Sequence, residues 1–212
     1  MTTDRPTTLP PRWAEGLLRL VLWQEDRDSV SGDLLEEFRE SIVPALGARA
    51  DAWYVRQVAG FLLRQVWMWA VLLASICVWR YLVDTLMPIR YTPGVIAPRS
   101  AVMTWAIIAT FVSCAAWHAW RTRRIGAAIL LVVISGFAGS LLAQAGTLLC
   151  LAFQHDPGTL AAIRGSGGFD ELFVGPSIGL TLLALVVGLP GALAGRLARV
   201  VQGWSSANTN SA

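Results

Sequence analysis

The sequence predicts an all-α fold, with a small N-terminal helical module followed by a four-helix transmembrane bundle. Two observations of composition and one of charge predict it. Hydrophobic residues make up 55% of the 212 and charged residues 15%, where soluble domains carry about half and about a quarter. Mean hydropathy is +0.54, and four apolar stretches reach the roughly 20 residues that a hydrocarbon core requires. Charge is partitioned: seven of the fourteen acids lie within Glu25–Glu40, while residues 65–212 hold nine arginines against four acids. The net charge of +3 therefore reflects arginines flanking membrane segments, and no nucleic-acid partner is expected.

Residues 1–10 form a Thr- and Pro-rich lead expected to be disordered. Residues 11–64 form the module, three helices expected on the cytoplasmic side. Pro11 suits a first helical turn, and Trp13, Leu17, Leu20 and Val21 share one helix face, ending near Trp23. A second helix begins near Asp26, an acidic start that suits the positive end of the helix dipole. Val30, Leu34, Phe38 and Ile42 give it an apolar stripe, and Pro44 and Gly47 end it. Gly32, about 1 kcal/mol worse than Ala in a helix, is expected at a close helix approach or at a break. A third helix from about Ala48 carries Trp53, Val58, Phe61 and Leu62. Nothing breaks its pattern before Trp79, so it is expected to run on into the first span. So small a core is marginal alone, and the module should lean on the membrane or on a partner.

The membrane domain, residues 65–199, is expected to cross at about 66–87, 101–120, 125–153 and 172–195. The turn Arg121–Arg124, reading RTRR, ties the second and third spans into a hairpin. With the N-terminus inside, the inner flanks hold Arg56, Arg64, Arg121, Arg123, Arg124, Arg196 and Arg199, and the outer loops only Arg90, Arg99 and Arg164. Arginine excess marks the cytoplasmic side, so both termini are expected there. Prolines at 88, 93 and 98 predict an extended outer loop over 86–100. The GSGG of residues 165–168 predicts a flexible second loop, and residues 200–212 a disordered tail.

Asp33, Glu36, Glu37 and Glu40 recur at one helical face. Three readings stand open for them. The face is solvated or neutralised by Arg12, Arg19, Arg27 and Arg39; it docks a basic partner; or it holds a divalent metal, for which no loop fixes the geometry. Intramembrane polar residues are Arg80, Asp84, His118 and Gln144. Arg80 and Asp84 are one turn apart and can pair, or Arg80 can snorkel to the interface. His118, beside Trp117 and Trp120, is expected at the interface. Gln144 is the best candidate for an interhelical hydrogen bond, worth about 0.6–2 kcal/mol. Ser135, Gly136, Gly139 and Ser140, then Gly175 with Gly179 and Gly191 with Gly195, have the small-residue spacing of close helix packing. That packing can lie within one bundle or in a homo-oligomer or other membrane assembly. Pro176 and Pro190 are expected to kink the fourth span. Cys77, Cys114 and Cys150 stand singly and give no metal spacing or disulfide framework. With no HExxH, Walker A loop, nucleophile elbow or CxxC read in the chain, it is expected to be non-enzymatic, with no catalytic residues, metal or cofactor.

The strings PPRWAEGLLRLVL, EDRDSVSGDLLEEFRE and WYVRQV resemble the permease prefix domain. That domain is the helical module in front of macrolide-exporter-type, FtsX-like ABC permeases of bacteria. The resemblance covers residues 10–64 and is carried by Pro11, Trp13, Leu17 and Leu18, by Asp28 and the run Gly32, Asp33, Leu34, Glu36, Glu37 and Phe38, and by Trp53, Tyr54 and Gln57. It implies a bacterial inner membrane location and a partner that is an ABC-type permease or a PadR-type regulator. A family permease would continue into a long periplasmic domain, whereas four closely spaced spans follow here, so transport does not carry over. The expected function is that of a non-enzymatic integral membrane protein whose module docks such a partner. The alternative is a small oligomeric transporter or channel formed by the four-span bundle, its pore lined by Arg80, Asp84, His118 and Gln144.

Overall fold

Helix α1, Arg12–Val21, starts where the chain turns at Pro11, whose carbonyl accepts the amides of Ala14 and Glu15 at 2.9 and 3.1 Å. The computed structural model describes residues 9–86, 93–154, 157, 160 and 169–209. The expectations for residues 1–8, for the loop centre at 87–92 and for the GSGG run lie outside the described residues. Among the described residues every regular element is helical. The all-α fold holds.

α1 buries Ala14, Leu18 and Val21 and exposes an Arg19–Glu15 ion pair of 2.8 Å on its other side. α2, Arg27–Glu37, turns Leu34 inward, and the chain then passes into a π turn over Phe38–Ile42. There the amide of Val43 donates to the carbonyl of Phe38, five residues back. A continued α-helix would drive the Pro44 ring into the carbonyl of Glu40; the wider turn makes room for it. A short α3, Val43–Leu46, ends at Gly47, whose φ of 52° stops the helix. The module core gathers Ala14, Leu18, Leu22, Leu34, Phe38, Ala50, Tyr54 and Val58. At its centre the rings of Phe38 and Tyr54 meet edge to face, centroids 5.5 Å apart. Gly32 sits exposed in mid-helix with nothing near it. Both the close approach and the helix break expected there are corrected.

α4, Ala50–Leu86, is a single helix of 37 residues, about 55 Å long. It is the third module helix and the first span in one piece, as the unbroken pattern predicts. α5 spans Pro93–Thr122, α6 Ile125–Gln154 and α7 Phe169–Thr209. Four helices are long and apolar enough to cross a membrane. Two boundaries differ from expectation. α5 begins at Pro93, so the predicted extended loop is helical from there on; a proline at the first helical position gives up an amide that has no partner anyway. α7 runs through Arg199 to Thr209, so the tail expected to be disordered is helical to that point. Pro176 and Pro190 both lie inside α7, which continues through them.

α6 is the central helix. It packs on α4, α5 and α7, and α5 and α7 pack closely on each other. The bundle interior is built of small residues such as Ala115, Ala119, Ala128, Ala184 and Ala192. Large apolar side chains such as Trp67, Leu72, Trp105, Phe137, Leu149, Leu182 and Val186 face outward. A water-soluble bundle would have the reverse arrangement; lipid-facing helices gain nothing by hiding leucine and gain packing by drawing small residues together. The module sits on one end of this bundle. Val21 of α1, Val66 of α4 and Leu131 of α6 form a buried cluster, so the module leans on the membrane domain as its small core requires.

Candidate functional site

The acidic face and the junction beneath it are the two polar features that the module presents. Asp33, Glu36, Glu37 and Glu40 are all exposed, and none forms an ion pair with a described residue. The π turn shifts the register after Glu37, yet Glu40 stays on the surface. The arginines read as neutralising the face are engaged elsewhere in two cases. Arg19 pairs with Glu15 and donates from Nε to Ser31 Oγ at 3.2 Å. Arg27 donates to the carbonyl of Leu22 at 3.4 Å, and its pKa is lowered by burial and then by the nearby charge of Arg124. Among the described residues no group of three His, Cys, Asp or Glu side chains has metal-ligand spacing.

The junction is built by the residues that follow α1, the RTRR turn and the stretch of α7 around Arg196 and Arg199. Arg121 lies with its guanidinium carbon 4.2 Å from the ring centre of Trp23 and 4.6 Å from that of Trp117. Trp120 is 5.7 Å from the same group and 5.1 Å from the guanidinium of Arg199. Cation–π contacts are worth about 0.5–2 kcal/mol each, more as water is excluded. Arg123 holds a left-handed φ of 57° at the turn, and its carbonyl accepts from Arg196 Nη1 at 2.8 Å. Thr122 caps the turn: its hydroxyl donates to the carbonyl of His118 at 2.8 Å and accepts the amide of Arg124 at 3.3 Å. Sequence periodicity misses this cluster, because Trp23 and Arg121 stand far apart in the chain. The one local signal is Trp117, Trp120 and Arg121 on a shared helix face.

Among the intramembrane polar residues, Gln144 and His118 meet different partners. Gln144 Nε2 donates to Ser177 Oγ at 3.0 Å, and Ser140 Oγ lies 3.2 Å from the same oxygen. This α6–α7 clasp is the interhelical hydrogen bond expected of Gln144; Ser140 is one of the small residues noted in the third span, and Ser177 carries no signal of its own in the sequence. His118 is 1% exposed and its ring meets Trp69 at 6.5 Å. It is therefore buried between α5 and α4, one helical turn before Arg121. Arg80 is exposed on α4, and the Asp84 side chain lies outside the described residues.

The glycines divide by face. A Cβ on Gly191 would stand 2.6 Å from the Val112 carbonyl, and one on Gly195 would collide with Ala116. Gly136 faces Ala184, and Gly139 faces Leu73 and the Ala70 carbonyl. Gly175 and Gly179 are exposed with nothing within 4 Å of an added Cβ, so they pack against no described helix of this chain. Gly146 against Val78 and Gly188 against Val132 are further close approaches. The letters GPSIG at Gly175–Gly179 fit the GxSxG pattern that the motif reading passed over. They lie inside α7, not at a strand-to-helix turn, and Ser177 bonds Gln144 and Ser140.

No protein-family model matches the chain, and no curated protein or solved structure matches it. The fold and its surface define an integral, multi-pass membrane protein, a four-helix bundle capped at one end by a small helical module fused to its first span.

Proposed function

We propose that this chain is a non-enzymatic, membrane-anchored interaction protein whose module docks a partner through Asp33, Glu36, Glu37 and Glu40. One observation carries the reading. Four exposed carboxylates with no counterion among the described residues sit on a module that continues into the first span through α4. Such a surface attracts a basic partner and steers its approach. The resemblance of residues 10–64 to the permease prefix domain supports an ABC-type permease or a PadR-type regulator as that partner. Arg56, Arg64, Arg121, Arg123, Arg124, Arg196 and Arg199 flank the module end of the bundle, which supports a cytoplasmic module and C-terminus in a bacterial inner membrane. The transporter alternative needs its polar residues on one path, whereas Gln144 is bonded to Ser177 and His118 packs on Trp69.

The test is purification of the tagged full chain from its native membrane in mild detergent. A specific co-purifying permease or regulator should be lost when Glu36, Glu37 and Glu40 are reversed to Arg. Its retention by that variant would remove the docking face from consideration.

A further inference from the structure

The junction between module and bundle holds a half-open cavity of about 250 Å³, with Trp23, Glu25, Trp120, Arg121, Arg123 and Arg199 in its lining. Its chemistry is that of an unfilled anion site. Arg121, Arg123 and Arg199 form no ion pair with a described residue, and Glu25 on the rim is exposed. The Arg121 guanidinium packs over the rings of Trp23 and Trp117, and its buried Nε has no hydrogen-bond partner; a planar guanidinium in that state suits phosphate oxygens.

Buried donors at the junction lack acceptors. Arg121 Nε, Trp23 Nε1 and, on the adjoining helix, Arg27 Nε are buried without a hydrogen-bond partner. All three are donors, so what is missing is an acceptor-rich group. Arg123 is the left-handed residue, φ 57°, that ends α5, its amide donating to the Ala119 carbonyl at 3.0 Å; this reversal brings its side chain to the cavity lining.

The cavity is smaller than the roughly 300–1,000 Å³ of drug-sized ligand pockets, and it lies where the spans end. Leu189, Leu193 and Leu197 are exposed along α7 on the span side of Arg199, an apolar surface that leads from the level of the cavity into the bilayer. We propose that this cavity binds the phosphate of an anionic ligand, supplied by the headgroup of an acidic phospholipid whose chains lie along α7. This is independent of the docking face, which is on the exposed side of α2.

The experiment uses the purified full chain in mixed micelles, with native mass spectrometry reading bound lipid. Phosphatidylglycerol should be retained in preference to phosphatidylcholine. Arg121→Gln and Arg199→Gln should each weaken that retention about tenfold, the loss of one charge-assisted contact, and Glu25→Gln should strengthen it. Displacement of phosphatidylglycerol by millimolar inorganic phosphate would show that the site also takes the group from solution; no displacement would assign it to lipid alone. If Arg121→Gln loses helical circular dichroism, Arg199→Gln at the open end carries the comparison. Equal retention of both lipids by the unmodified chain, or unchanged phosphatidylglycerol retention in the folded variants, would overturn the proposal.

Discussion

At Gly32 an added methyl would meet nothing within 4 Å, and the residue sits in the interior of α2. Gly32→Ala should therefore stabilise the module by about 0.5–1 kcal/mol through the unfolded chain alone, read as a higher thermal midpoint for α1–α3. Tyr54 is a second residue with a measurable signature. Its hydroxyl is buried without a hydrogen-bond partner, and burial, then the charge of Glu15, holds its pKa above the ordinary value. The folded module thus keeps the phenolic proton more tightly than the unfolded chain does. That contribution is fully present below about pH 10, the unfolded value, and is lost as pH rises through the raised one. Tyr54→Phe should remove this alkaline loss, as followed by amide exchange in α1 and α2 across pH 8–11. Because no bond is broken, stability at neutral pH should be unchanged or higher by about 1 kcal/mol.

Between elements, the sharpest contrast lies within α7. Gly191→Ala and Gly195→Ala each place a methyl against the α5 backbone and should cost about 1–3 kcal/mol. Gly175→Ala and Gly179→Ala should fall within about 0.5 kcal/mol of the parent. Unfolding of the bundle in mixed micelles would distinguish the pairs. Gln144→Leu, losing its bond to Ser177, should cost about 0.6–2 kcal/mol by the same measurement. The spacing of small residues marked both glycine pairs alike in the sequence. Sixteen residues separate Gly175 from Gly191, which turns them about 160° apart around a helix of 3.6 residues per turn. Only one pair can then face α5, and which one depends on a helix elsewhere in the chain. The spans themselves were legible because hydrocarbon thickness imposes a length that any sequence must meet. Their ends were less so: α5 and α7 extend past the apolar stretches because helix propensity, not hydropathy, decides where the backbone stops.

For the whole molecule, the module's attachment depends on a few apolar contacts between distant parts of the chain. Val21, Val66 and Leu131 cluster across three helices. Val21→Asp would bury an unpaired carboxylate there at a cost of about 3 kcal/mol or more. Residues 10–50 should then become more open to limited proteolysis in nanodiscs while the spans stay protected; unchanged cleavage would mean that α4 alone holds the module in place. The sequence announced that the module must lean on something, since its core is too small. It could not announce where, because Trp23 meets Arg121, and Val21 meets Leu131, through contacts that no local periodicity encodes.

The unbroken helix from module to membrane also makes azimuth a heritable property. Each residue inserted into α4 between Tyr54 and Val66 would swing the acidic face about 100° around the bundle and lift it about 1.5 Å. An insertion of one or two residues would therefore point the same carboxylates at a different neighbour. Seven would nearly restore their bearing, about 10 Å further from the bilayer. Length changes in this stretch act as a compass setting, and tolerance to them should rise and fall with the helical period instead of declining with size.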